Sequence, residues 1–227
     1  MPPGSPWRTW IPRVLALGPS RLAIGLALVV VLVSLALPFW SLSRVAGTDQ
    51  DITSFSWTTA TTDRYRGGAW DGTSILPYGS SQPVLAGMTF RAVGSALGTA
   101  YLLDLVLFVV LAVVLALFSM EYGRTMPTLS LLIVSLIVLG VSLIALFYPI
   151  VAIPGAATTD VGTFTISGFW GAQGTSGPAA VWSWGPGLGW WFLLLGVVLG
   201  TVGAVLPYVK SIRAMIPSPP PGWRPSS

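Results

Sequence analysis

The sequence predicts an all-α membrane protein, a four-helix bundle with a small extracellular antiparallel β-rich cap formed by the two outer loops. Hydrophobic residues make up 53% of the 227 residues and charged residues only 8%, whereas a soluble domain carries about 25% charged residues. Four long apolar runs are each sufficient to cross a hydrocarbon core about 30 Å thick. The two longest segments between these runs are rich in aromatic, Thr, Gly and Pro residues.

The four runs divide the chain. The predicted transmembrane spans are 22–40, 92–119, 128–150 and 190–209, and the predicted outer loops are 41–91 and 151–189. The remaining parts are a cytoplasmic N-terminal segment 1–21, a cytoplasmic link 120–127 and a Pro-rich cytoplasmic tail 210–227. Span two is roughly 42 Å long at about 1.5 Å per residue, which is enough to project above the bilayer. Span one is interpreted as an uncleaved signal anchor, because its apolar run exceeds the roughly 7–15 residues of a signal peptide.

The basic residues predict the orientation. Seven of them lie before span one, between spans two and three, or after span four: Arg8, Arg13, Arg21, Arg124, Lys210, Arg213 and Arg224. Outer loop 1 holds the other four and outer loop 2 holds none. The positive-inside rule then places both termini in the cytoplasm and both loops outside. We therefore expect a multi-pass protein of the plasma membrane.

Alternating patterns in both loops predict the cap. Phe55 and Trp57 alternate with Ser and Thr in loop 1, and Phe164 and Ile166 do so in loop 2. A further run, "AVWSW", places Trp182 on one strand face together with Trp184. Gly and Pro clusters separate these runs. We expect one small sheet built from both loops; the alternative is disordered loops, although disordered segments are poor in aromatic residues.

Two stretches suggest an internal repeat. "VSLALPFW" at the outer end of span one is similar to "VSLIALFYP" at the outer end of span three, and "SFSW" is similar to "SGFW" further on. Each unit is then a helix, outer strands and a helix, as in parallel repeats of some transporters. The alternative is chance similarity between short apolar stretches.

Five tryptophans form the candidate partner or cap surface: Trp57, Trp70, Trp170, Trp182 and Trp184. Exposed tryptophans are typical of binding hot spots. For Trp182 and Trp184 we expect a place in the core of the cap, and contact with a partner is the alternative.

Asp104 is the only ionisable residue inside a predicted span. Such a residue is a functional candidate by default, because a charge in the membrane is costly. Its position near the outer end of span two favours a structural role, in which it pairs with Arg91, caps a neighbouring helix or accepts a hydrogen bond from a Ser or Tyr hydroxyl. Contact with a partner and handling of an ion or proton are the alternatives.

Small residues at four-residue spacing indicate close helix packing. They are Gly94 and Gly98 at the start of span two, and Gly196, Gly200 and Ala204 in span four. We expect these positions to pack within the bundle, and contact with another subunit is the alternative.

The chain lacks the residues that several functional classes require. The chain has no Cys and no His, so thiolate and imidazole chemistry is absent. The loop carboxylates Asp49, Asp51, Asp63 and Asp71 lack the pattern of a calcium-binding hand, and we expect them to be solvated or paired with Arg64 and Arg66. The net charge of +4 forms no basic stripe. We therefore expect no enzyme, no cofactor or metal site and no nucleic-acid partner.

Four helices with both ends inside, a larger strand-bearing first outer loop and a smaller second loop resemble the claudin-like tetraspan architecture. Trp57, Trp70 and Arg91 before span two are similar to features of that group, although claudins carry a cysteine pair in the first loop and this chain has no cysteine. The resemblance covers the layout of the whole chain. It implies the fold and a general role in adhesion or assembly.

The expected function is structural. The protein is predicted to reside in the lipid bilayer and to associate with other membrane or surface proteins or with itself, as an accessory subunit or an adhesion or assembly partner at the cell surface. The alternative is a transporter or channel subunit that uses Asp104.

Overall fold

The computed structural model describes residues 18–120, 126–174 and 180–215 of the chain. It contains four long helices: α1 (Pro19–Ala36), α2 (Arg91–Ser119), α3 (Thr128–Val161) and α4 (Leu188–Met215). Each helix is long and apolar enough to cross a membrane, as a membrane protein requires. Most of segment 1–21, the centre of link 120–127 and most of tail 210–227 lie outside the described residues.

Six strands form one antiparallel sheet. They are β1 (Trp40–Ala46), β2 (Asp49–Phe55), β3 (Thr59–Arg66), β4 (Ala69–Pro77), β5 (Gly171–Gly174) and β6 (Ala180–Pro186). The spatial order is β4-β3-β2-β1-β6-β5, so the segment after α1 and the segment before α4 share the sheet. Both predicted loops therefore contribute strands to one antiparallel sheet, as expected. With six strands beside four helices, the fold is mixed α/β, so the predicted all-α class is correct only for the helical part.

Helix α1 ends earlier than the predicted span at 40. Pro38 disfavours a helical conformation for the residue before it, and Leu37 is extended with φ −104°. The chain turns directly into β1, where Trp40 pairs with Phe55 of β2. The tight link between β3 and β4 consists of Gly67 and Gly68, both with positive φ, as a two-residue hairpin turn requires.

Helix α3 differs most from the sequence-based expectation. It continues to Val161, eleven residues beyond the predicted end at 150, and passes through Pro149 and Pro154. Each proline removes one intrahelical donor, and helices in a bilayer tolerate this when neighbouring groups compensate. The helix stops at Gly162, which has a left-handed φ of 67°.

The predicted strand around Phe164 and Ile166 is wrong. Residues 162–170 have no strand structure, and the Ile166 amide donates to the Thr158 hydroxyl at 2.9 Å instead of to a sheet neighbour. The ring of Phe164 packs against Trp182 and Trp184. The alternating apolar residues around Phe164 therefore belong to the apolar core under the sheet and not to a strand. The two proposed repeat units also differ, because only the second has this helical extension.

The outer turns of α2 brace the sheet. Helix α2 is 29 residues long, about 43 Å, and its first turns pack beneath β1 and β2. Tyr101 contacts Phe39 with ring centroids 5.6 Å apart, and Phe55 contacts Phe90 at 4.9 Å. One continuous core thus extends from the bundle into the sheet.

Candidate functional site

The sheet has a packed face and a bare face. On the packed face, buried side chains occupy every second position along each central strand, and they include Trp40, Leu42, Thr53, Phe55, Ala60 and Thr62. The intervening side chains form the bare face, and they are partly or fully exposed. The bare face is rich in Ser and Thr. Ile52 and Ile75 lie on it nearer the helices, and Val45, Tyr65, Trp70 and Val181 lie at the end of the sheet far from the helices.

The side chains at this far end form one row across the sheet together with Gln50. Register pairs Val181 with Val45, Val45 with Gln50, Gln50 with Tyr65, and Tyr65 with Trp70. We call these five residues the distal row. Each is partly or fully exposed, and Trp70 is 65% exposed. Four of the five side chains have apolar surface and Gln50 is polar, and an exposed, mostly apolar row of this kind is typical of an interaction surface.

Trp182 and Trp184 lie on the packed face and are 5% and 6% exposed. The indole N–H of Trp184 donates to the Gly168 carbonyl at 3.1 Å. The Arg44 guanidinium lies 5.9 Å from the ring centroid of Trp182. These two tryptophans fill the core under the sheet, which leaves them no surface for a partner.

The other three candidate tryptophans lie apart from one another. Trp57 occupies the turn between β2 and β3 and stacks on Tyr101, with centroids 5.3 Å apart and an interplanar angle of 2°. Trp70 is the second residue of the edge strand β4, at the far end of the sheet. Trp170 is 60% exposed and lies beside Gly185 at the end of β6 near the helices. The five tryptophans therefore do not form one surface.

A charge network occupies the far end of the packed face. Asp51 is buried between two arginines: its carboxylate lies 2.8 Å from Arg66 and 3.6 Å from Arg44. Arg66 also approaches Asp49 at 3.9 Å, and its hydrogen bond with Asp51 raises the pKa of its guanidinium. Arg66 thus makes the pairing that the sequence suggests for these loop carboxylates. Asp63 accepts a hydrogen bond from Thr73 instead.

Asp104 is fully buried in α2, and neither of its carboxyl oxygens has a hydrogen-bond partner among the described residues. The hydroxyl of Tyr101, one turn nearer the sheet, donates to the Leu37 carbonyl at 2.9 Å. Arg91 donates to the Gly79 carbonyl at 3.5 Å. Arg91, which the sequence suggests as a partner of Asp104, and the Tyr101 hydroxyl therefore form hydrogen bonds with other groups.

Three of the predicted packing residues lie in α4 and contact other helices of the bundle. A Cβ on Gly196 would lie 2.6 Å from Val31 of α1, and one on Gly200 would lie 2.8 Å from Leu111 of α2. Ala204 is buried, and its carbonyl accepts from Ser135 of α3 at 3.1 Å. These three residues bring α4 against the other helices of the bundle.

The two glycines of α2 have different surroundings. Gly94 makes room for the ring of Tyr78, which follows β4 and donates its hydroxyl to the Ser56 carbonyl at 2.6 Å. Burial raises the pKa of Tyr78. A Cβ on Gly98 would have no atom within 4 Å, so Gly98 makes no close helix contact within the described chain.

Two residues that hold distant segments together were not predicted from the sequence. Asp160, at the end of α3, accepts from the backbone amides of Ala92 and Val93 at 3.1 and 2.8 Å. The buried indole of Trp40 donates to the Phe169 carbonyl at 2.9 Å. Both contacts join segments far apart in the chain, so no local sequence pattern predicts them.

A scan against protein-family models gave no match, and a search of curated proteins also gave none. The interpretation of the site therefore depends on its geometry.

Proposed function

We propose that this chain is an integral membrane interaction protein, an accessory subunit or an adhesion or assembly partner at the cell surface. The observation that carries the proposal is the distal row on the bare face of the sheet. Its members lie on five strands of a braced sheet, so they are held in a fixed arrangement. A preorganised surface loses little conformational entropy on binding.

The proposed architecture is a membrane-spanning four-helix bundle with an extracellular cap and cytoplasmic termini in the plasma membrane. The distribution of basic residues supports this orientation. A larger first loop with four strands and a smaller second loop with two also support the claudin-like layout that we propose for the chain.

The absence of native cysteine allows a direct test of orientation. Ser81→Cys and Lys210→Cys each introduce one thiol at an exposed position on opposite ends of the molecule. A membrane-impermeant maleimide should label Ser81→Cys in intact cells and Lys210→Cys only after permeabilisation. The reverse labelling pattern would reject the proposed orientation.

Partner binding is tested by purification of the protein from its native membranes in mild detergent, with quantitative identification of the proteins that accompany it. Trp70→Ala should reduce a specific partner about tenfold, the effect of losing roughly 1.4 kcal/mol of binding free energy. Trp170→Ala is the matched control, because it removes an equally exposed tryptophan from the opposite corner of the sheet. Equal losses in both variants, or no loss in Trp70→Ala, would contradict the proposal.

A transporter or channel subunit is the second candidate, favoured by the unpartnered carboxyl of Asp104. In proteoliposomes, flux of protons or monovalent cations should then stop in Asp104→Asn while the protein still inserts and folds. Unchanged flux in Asp104→Asn, or no flux in the natural protein, would reject this candidate.

A further inference from the structure

A cleft lies where the bare face of the sheet meets the outer ends of α1 and α4. Its volume is about 340 Å³. The side chains that shape it are Pro38, Ser41, Ile52, Ser54, Leu188 and Trp191. Beside it, the amides of Gly187 and Gly189 donate to the carbonyls of Phe39 and Pro38 at 2.9 and 2.8 Å, which joins the two helix ends. Because the apolar helices end here, the cleft lies at the level of the membrane surface.

The cleft continues into an apolar stripe along α4. Exposed side chains recur at intervals of three and four residues, which places them on one face of the helix. They are Leu188, Trp191, Leu195, Val198 and Val202. The stripe covers roughly 21 Å of the helix, which is longer than one leaflet, about 15 Å, of a core about 30 Å thick. An acyl chain lying on this stripe therefore has its headgroup at the cleft.

The cleft is uncharged, and its mainly apolar lining carries two serine hydroxyls, those of Ser41 and Ser54. None of the described residues that line it is ionisable, and Arg44 of β1 and Arg66 of β3 pair with Asp51 on the packed face. A phosphate group is bound mainly by cationic or N–H donors, and the cleft offers no cationic side chain. The Ser41 hydroxyl donates to the Gly185 carbonyl at 3.3 Å, so its lone pairs are available to accept from another hydroxyl.

We propose that this cleft binds the neutral sugar headgroup of a glycolipid in the leaflet next to the sheet. The hydroxyls of Ser41 and Ser54 bond to the sugar, the indole of Trp191 lies against it, and an acyl chain follows the stripe on α4. The proposal requires that the helices span the membrane. It is independent of the partner binding proposed for the distal row.

The test uses the full-length protein in nanodiscs of phosphatidylcholine with equal amounts of monogalactosyl diacylglycerol and phosphatidylglycerol. Native mass spectrometry after gentle detergent extraction measures the lipids that stay bound. We expect the galactolipid to be retained about tenfold over either phospholipid, a preference of roughly 1.4 kcal/mol. Equal retention of the three lipids, or preference for phosphatidylglycerol, would overturn the proposal.

Two variants locate the binding site. Ser54→Phe fills the cleft and Trp191→Ala removes its aromatic wall, and both should abolish the preference for the galactolipid. Matched controls are Thr73→Phe on the distant edge strand and Phe147→Ala on the exposed surface of α3, and both should keep the preference. If the first two variants instead abolish a dimer and leave lipid retention unchanged, a second copy occupies the cleft and the proposal is wrong.

The double variant Ser41→Ala/Ser54→Ala guards against misfolding, because it only removes two hydroxyl groups. The loss of the Ser41 hydrogen bond to the Gly185 carbonyl should lower the melting temperature only slightly, and the variant should lose most of the galactolipid preference. Full retention of the galactolipid by this double variant would overturn the assignment of the two serines.

Discussion

The carboxylate of Asp160 caps α2 by accepting from the backbone amides of Val93 and Ala92, at 2.8 and 3.1 Å. Helix α2 has no side-chain cap of its own, because its N-cap position is Phe90 in a left-handed conformation. The end of one apolar helix therefore stabilises the start of another, at the level where both meet the sheet.

Removal of this cap should lower stability. Asp160→Ala leaves two amides without their acceptor and removes a negative charge from a helix N-terminus, so we expect a loss of about 1–2 kcal/mol in the free energy of unfolding. Asp160→Asn should retain part of the stability, since an amide oxygen still accepts. Thermal unfolding in detergent, followed by near-UV circular dichroism, measures both variants. A loss as large in the exposed control Asp71→Ala would show that the effect is not specific to the cap.

Trp57 is expected to stabilise the fold through its stacking on Tyr101. Trp57→Ala should cost about 0.5–1.5 kcal/mol beyond the loss of buried area, because the turn between β2 and β3 loses its anchor on α2. Trp57→Phe should restore part of this. Trp70→Ala, at the free end of the sheet, should stay within about 0.5 kcal/mol of the natural protein. Equal melting temperatures for Trp57→Ala and Trp70→Ala would contradict this assignment.

Gly203 lies where the backbones of α1 and α4 approach closely. A Cβ there would lie 3.0 Å from the backbone atoms Ser20 O and Ile24 N, and the Ser20 hydroxyl donates to the Gly203 carbonyl at 2.5 Å. Gly203→Ala should therefore destabilise the bundle by about 1–3 kcal/mol. Gly98→Ala meets open space and should be neutral or slightly stabilising. Titration with a denaturing detergent measures the free energy of unfolding of both variants. A Gly203→Ala variant as stable as the natural protein would show that the helices are farther apart.

Asp104 can be tested for a purely structural role. Asp104→Leu replaces a buried carboxyl without partners by an apolar side chain of similar size, and such replacements are often neutral or stabilising. We expect an equal or higher melting temperature in detergent. A clear loss of stability would indicate that the carboxyl has a partner, such as a bound cation or water.

The presence of four helices and of a sheet shared by both loops was predictable from the sequence because both depend on local patterns, although the alternation around Phe164 and Ile166 wrongly predicted a strand. Apolar runs indicate spans by length alone, and the alternation around Phe55 and in "AVWSW" indicates strands. The extent of α3 was not predictable, because Pro149 and Pro154 are read as breaks when the surrounding helices are unknown. The roles of Trp57 and Asp160 depend on contacts between distant segments, which no local pattern contains.

The spacing of the glycines in α2 did not predict what they contact, because those contacts also depend on distant segments. The spacing of Gly94 and Gly98 is that of a packing ridge, yet one accommodates a tyrosine ring and the other meets open space. Spacing identifies the helix face on which small residues lie. What that face meets depends on the arrangement of the other helices.

Site-specific photo-crosslinking in intact native membranes tests the central claim most directly. A photoreactive amino acid at Val181, an exposed member of the distal row, should form one discrete crosslink to a partner or to a second copy of this chain. The same probe at Trp170, equally accessible but outside the row, should form none. A crosslink from Trp170 without one from Val181, or no crosslink from either position, would contradict the claim that the distal row is the recognition surface.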